Sequence, residues 1–156
     1  MTNEELITRF YQAFQNRDYK TIQQFYSNQA RFNDPVFIHL NAEQVRKMWE
    51  MLLVRSTDLE LDFTNINTND FSGSAEWTAR YTFYRTGKKV INRIKASFIF
   101  EKGKILNHKD EFNFYTWARQ ALGIPGLLFG WTPFIKNKIR KMAMKNLMDY
   151  MKKHPG

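Results

Sequence analysis

The chain has no cysteine. It therefore has no disulfide framework and no thiolate nucleophile, and its composition suits a reducing cytoplasm. No stretch approaches the roughly 20 consecutive apolar residues of a membrane-spanning helix. The first residues, Met1-Thr2-Asn3-Glu4-Glu5, lack the basic start and apolar run of a secretory signal, so the protein is expected to be unprocessed and cytoplasmic. There is no G-x-S-x-G for a serine nucleophile. Gly123, Gly126 and Gly130 lie in an apolar stretch without the Lys-Ser/Thr of a phosphate loop, so no cofactor is expected. Acidic residues are scarce towards the C-terminus. Residues 131–156 hold seven Lys and Arg against Asp149 alone, which places six of the nine net positive charges there.

What is present is organised around residues 74–114. Three segments alternate with period two and are joined by Thr86-Gly87-Lys88 and Lys102-Gly103, which predicts an antiparallel three-stranded meander. Trp77, Ala79, Tyr81 and Phe83 share one face of the first strand. Val90, Asn92, Ile94, Ala96, Phe98 and Phe100 share a face of the second, and Leu106, His108, Asp110, Phe112 and Phe114 a face of the third. Asn92, His108 and Asp110 are thus polar positions on an otherwise apolar surface. A sheet face of that kind lines either a satisfied polar network in the core or a ligand pocket.

The preceding residues read as helices and short strands. Thr2 and Glu5 match a capping box before Leu6, Phe10, Ala13 and Phe14 at helical spacing. Asp18 caps a short second helix carrying Ile22, Phe25 and Tyr26. Residues 30–40 look strand-like, but Asp34-Pro35 makes the strand an edge or a bulged one, since proline donates no ladder hydrogen bond. Asn41 and Gln44 form a second capping box ahead of Val45, Met48, Trp49, Leu52 and Leu53. Leu59, Leu61 and Phe63 alternate in a further strand, and residues 65–73 are turn-rich. After the meander, residues 116–122 predict a helix stopped by Gly123. Residues 124–131 are apolar and irregular, and Pro133 opens a helix to about Lys152. The fold class is α+β in the order α-α-β-α-β-β-β-β. Residues 1–115 form the main unit, and a C-terminal helical addition over 116–156 belongs to the same domain.

This order resembles the nuclear transport factor two-like fold. The segment 16–37, with Asp18-Tyr19, Phe25-Tyr26 and Ala-Arg-Phe-Asn-Asp-Pro-Val, is similar to the opening of ketosteroid isomerases and SnoaL-like proteins. W-x-A-x-Y-x-F at Trp77, N-x-I-x-A-x-F-x-F at Asn92, H-x-D-x-F at His108, W-A-R-x-A-L-G at Trp117 and G-W-T-P at Gly130 resemble a bacterial SnoaL-like subgroup. The resemblance implies a cone: a curved antiparallel or mixed sheet wrapped on three N-terminal helices, with a ligand pocket at its open end, often in a homodimer. It also implies a general base at Asp34. The hydroxyl donor of the steroid isomerases falls at Phe10, beside Tyr11, and their protonated carboxyl falls at Ala96. Without that oxyanion hole an enolate loses several kcal/mol of stabilisation, so steroid isomerisation is not expected.

The residues left for chemistry are Asp34, His108 and Asp110. The last two are placed on one face with Cβ atoms roughly 7 Å apart. Ligand contacts are expected from Phe10, Phe14, Trp49, Trp77, Tyr81 and Asn92. Desolvation among Phe10, Phe14 and Trp49 would raise the pKa of Asp34, suiting acid-base catalysis on an apolar small molecule. The competing reading has the same groups pairing to fill a polar hole in the core of a non-catalytic dimerisation or scaffold module. His108-x-Asp110 lacks a third ligand for a metal. The last helix, with Phe134, Ile135, Ile139, Met142, Leu147 and Tyr150 in one stripe, is expected either to pack on the domain or across a dimer, or to meet an anionic membrane through residues 124–153. Nucleic acid is disfavoured, because only charge argues for it and the aromatic residues read as packing.

Overall fold

A computed structural model describes residues 1–156. Two helices open the chain, α1 (Asn3–Gln15) and α2 (Tyr19–Gln24), followed by β1 (Tyr26–Asn33), the two-residue β2 (Leu40–Asn41), α3 (Ala42–Arg55) and β3 (Glu60–Thr68). The meander is β4 (Ser72–Phe83), β5 (Lys88–Glu101) and β6 (Lys104–Glu111). It leads into α4 (Phe114–Leu122), α5 (Ile124–Phe129) and α6 (Pro133–Lys153). The six strands form one curved mixed sheet in the order β2-β1-β6-β5-β4-β3. All neighbours are antiparallel except β1 and β6.

The caps read from the sequence begin these elements. Thr2 accepts from Glu5 N and Asp18 from Thr21 N, each satisfying a backbone donor that the first helical turn leaves free. Asn41 and Gln44 form the full reciprocal box at α3. In β5 exposure alternates without exception from Val90 to Glu101, as a half-buried strand requires. The concave face of the sheet closes on α1 and α3 around a core of 29 buried residues. That core reaches Leu147 and Tyr150 of α6.

Four local expectations are corrected. The helix over 19–24 ends before Phe25, and Tyr26 starts β1, which turns its hydroxyl into the core. The strand expected over 30–40 is broken between β1 and β2 by a turn at Asp34-Pro35. On β6 it is Ile105 that is fully buried and Leu106 only half-buried. The reason is a bulge opposite Ile99 and Phe100 that inserts one residue and flips the side-chain order. Residues 124–129, expected to be irregular, form the short helix α5.

Candidate functional site

The open end of the cone holds a cavity of about 200 Å³ lined by 26 residues, 19 of them hydrophobic. Phe14, Trp49, Trp77 and Tyr81, four of the expected ligand contacts, line it. Ile139, Met142 and Asn146 of α6 close it. Of the alternatives the sequence leaves open for the α6 stripe, packing on the domain is the one observed, and the stripe is a wall of the cavity. Asp34, Asn92 and Asp110 bring polar groups onto this surface. Asp34 and Asp110 also border a second, polar groove, which Asn107, Lys109 and Glu111 line from the outer face of β6.

Two expected site residues lie behind the wall. Neither Phe10 nor His108 borders the cavity. Phe10 is fully buried with its ring edge-on to His108, 5.8 Å between centroids. His108 is 1 % exposed and stacked on Phe98 at 4.4 Å. Its Nδ1 meets the Tyr26 hydroxyl at 2.8 Å, and its Nε2 meets Asp110 Oδ1 at 2.9 Å. The Trp49 indole N–H donates to the same Tyr26 oxygen at 2.9 Å, so the tyrosine proton goes to Nδ1. In that tautomer Nε2–H donates to Asp110. The chain Trp49, Tyr26, His108, Asp110 is thereby satisfied at every step except Asp110 Oδ2. Asp110, 2 % exposed, is held rigidly from behind while its second oxygen stays free.

Asp34 is positioned by the turn that breaks the edge strand. Its Oδ1 accepts from Val36 N at 2.7 Å and Phe37 N at 2.6 Å, and its own N–H donates to Phe37 O at 2.9 Å. Such an aspartate turn is favoured where the following proline holds the chain extended. From α6, Arg140 Nε donates to Pro35 O at 2.9 Å and anchors the turn to the last helix. Burial pushes the Asp34 carboxyl up; the two backbone N–H bonds lower it, the Asp110 charge raises it, and Arg140 lowers it. The net result is about 7. Oδ2 has no hydrogen-bond partner within the protein.

Two further groups complete the polar surface. Burial pushes the Tyr81 phenol up to about 12. Its oxygen accepts from Trp117 Nε1 at 2.7 Å, so its own proton remains to be donated. Asn92 is 8 % exposed, and its amide makes no hydrogen bond. Deeper in, Tyr11 Oη and Trp77 Nε1 are buried without a partner, on rings 5.9 Å apart. No group of three or more His, Asp or Glu side chains is gathered to hold a metal.

Comparisons with known proteins agree with this architecture. The SnoaL-like domain family matches residues 7–108, and the chain belongs to that family, within the nuclear transport factor two-like superfamily. Among solved structures it is similar to an epoxide hydrolase from Mycobacterium tuberculosis (18 % identity, TM-score 0.65, covering 81 % of this chain and 94 % of that one). It is also similar to a proposed polyketide cyclase from Pseudomonas putida (19 %, 0.66, 78 % and 98 %), and to TerC crystallised with polyporic acid (16 %, 0.62, 74 % and 95 %). No curated protein gives a significant sequence match. The neighbours are spanned almost completely, whereas about a fifth or more of this chain extends beyond the shared fold.

Proposed function

We propose that the cone binds a small apolar molecule bearing one or two oxygen functions and acts on it by cofactor-independent acid-base chemistry. The observation that carries this reading is the pair of inward carboxylates on an apolar wall, Asp34 and Asp110, each with one oxygen unused. Their surroundings differ. Asp34, with its carboxyl near 7, exchanges a proton at neutral pH. Asp110 is oriented by His108 and presents a fixed acceptor. Asn92 and Tyr81 offer an amide and a hydroxyl to orient the ligand's oxygen. His108 acts here as a positioning residue for Asp110. The neighbours' names, an epoxide hydrolase and a polyketide cyclase, support this class, because both chemistries move protons on oxygenated apolar compounds. The chain's own substrate falls within that class.

The test begins with thermal-shift screening against apolar epoxides, cyclic ketones and hydroxyquinones, followed by turnover assays of each compound that stabilises the protein. Asp34→Asn is expected to lower turnover by about 10²-fold to 10⁴-fold with little loss of binding. Unchanged turnover would remove Asp34 from the mechanism. Binding without turnover by the unsubstituted protein would leave the cone a carrier.

A further inference from the structure

At the junction of α4, α5 and α6 the ordinary arrangement of side chains is reversed. The small residues of α5 are inside: a Cβ added at Gly126 would lie 2.0 Å from the Ala118 carbonyl oxygen, and one at Gly130 2.9 Å from Ala118 Cβ. The helix therefore rests with its backbone directly on α4, and its large residues have only the outside. Ile124, Leu127, Leu128, Phe129, Trp131 and Phe134 are 51–73 % exposed. No charged residue interrupts 120–135. An apolar tip of this density marks a surface that something covers.

Two independent features indicate what covers it. The first is the backbone. Leu127 O accepts from the Tyr115 hydroxyl at 2.9 Å, Leu128 O from the Trp131 indole N–H at 3.0 Å, and Phe129 O from the Thr132 hydroxyl at 2.6 Å. Gly123 O and Gly126 O accept from Leu127 N and Gly130 N. The Leu127, Leu128 and Phe129 carbonyls end a six-residue helix at the surface, where water would ordinarily serve them. Closing them internally matters in hydrocarbon, where an unpaired carbonyl costs several kcal/mol. The second is charge. Between Glu111 and Asp149 there is no acidic residue, while Arg119, Lys136, Lys138 and Lys141 flank the tip, and the Lys88 side chain lies against Gly123. A second copy of this chain would bring the same cations to the same contact and be repelled; an anionic lipid surface is complementary.

We propose that residues 124–134 dock into the boundary between headgroups and acyl chains of an anionic membrane, with Phe129, Trp131 and Phe134 as anchors and the lysines at the start of α6 against the phosphates. This narrows the segment expected from the sequence, since Ile139, Leu147 and Tyr150 farther along α6 are buried in the protein. It goes beyond the cavity's chemistry and is tested apart from it.

Trp131 is 71 % exposed, whereas Trp49, Trp77 and Trp117 are 6–7 % exposed, so an environment-dependent change in tryptophan emission reports on the tip. The full chain is mixed with vesicles of phosphatidylcholine and phosphatidylglycerol in equal parts, and with phosphatidylcholine alone. Co-sedimentation with the anionic vesicles only, weakened by salt and accompanied by a blue shift, is expected. The double substitution Leu128→Ser with Phe134→Ser is expected to weaken binding about tenfold or more. Lys138→Glu with Lys141→Glu should weaken it and flatten its salt dependence. Trp131→Phe should keep sedimentation and lose the shift, and unchanged melting temperatures show that the variants fold. No sedimentation with anionic vesicles, or full binding by the Leu128→Ser, Phe134→Ser protein, overturns the proposal. So does self-association, without vesicle binding, that the same double substitution abolishes.

Discussion

Along the chain of Trp49, Tyr26, His108 and Asp110 every polar atom is used except one carboxylate oxygen; elsewhere on the cavity wall, Asp34, Asn92 and Tyr81 each keep a donor or acceptor idle. The first group is buried throughout, whereas on the wall Asn92 is buried and Asp34 and Tyr81 are half-buried. Satisfied buried groups hold a fold together, and their loss leaves a partner stranded. Idle groups contribute nothing to the folded state and cost something to bury. The protein retains them at the cavity, where a ligand would complete them.

The comparison breaks most readily at His108. His108→Ala strands the Tyr26 hydroxyl and the Asp110 carboxylate and empties the space of a ring, and is expected to cost about 3–5 kcal/mol. Urea denaturation measures it, and a loss under about 1 kcal/mol would show that the relay is no more structural than the wall. A smaller effect, of opposite meaning, belongs to Asp34. Its carboxyl rises from 3.8 to about 7 on folding, so between those values the folded protein holds a proton that the unfolded chain has released. The associated stability is fully present below 3.8, declines as pH rises, and is gone above about 7. With allowance for the open side of the carboxyl, the fall is about 3 kcal/mol. Asp34→Asn should remove this slope, and denaturation curves across that pH range check it. The smallest effect sharpens the contrast from the other side. Asn92→Leu removes an unpaired amide from an apolar wall and should leave stability unchanged or raise it by about 1 kcal/mol. Calorimetric melting tests this; a large loss would mean that the amide serves the fold.

Much of this arrangement was legible beforehand, and the rest was hidden for identifiable reasons. Strict alternation in β4 and β5 put Trp77, Tyr81 and Asn92 on the inner face, because a one-residue slip would have turned an entire apolar set outward. Asp34-Pro35 announced an interrupted edge. Tyr26 was placed in a helix because Ile22, Phe25 and Tyr26 fit helical spacing as well as they fit a helix end followed by a strand. Its role depends on the parallel pairing with β6, which leaves no local signature. The bulge that exchanges Ile105 and Leu106 likewise belongs to the pairing. The stripe on α6 was visible, but what it covers was not: amphipathic periodicity gives a helix a buried face without naming its neighbour. The fit of α5 against α4 turns on Gly126 and Gly130, whose spacing in an apolar run looked like a reason for irregular structure.

The contacts that shape the site are long in sequence. The Tyr26 to His108 bond spans 82 residues, Glu50 to Tyr150 spans 100, and Arg140 to Pro35 spans 105. Parallel pairing of β1 with β6 joins the early part of the chain to its last strand. Contacts this remote must close large loops before they repay the lost entropy, and they slow folding. During synthesis β1 lacks its parallel neighbour until β6 has emerged. The turn carrying Asp34 gains its anchor only when Arg140 follows. The cavity is therefore among the last parts of the molecule to take shape, and a chain halted before α6 would carry both carboxylates without the wall that encloses them.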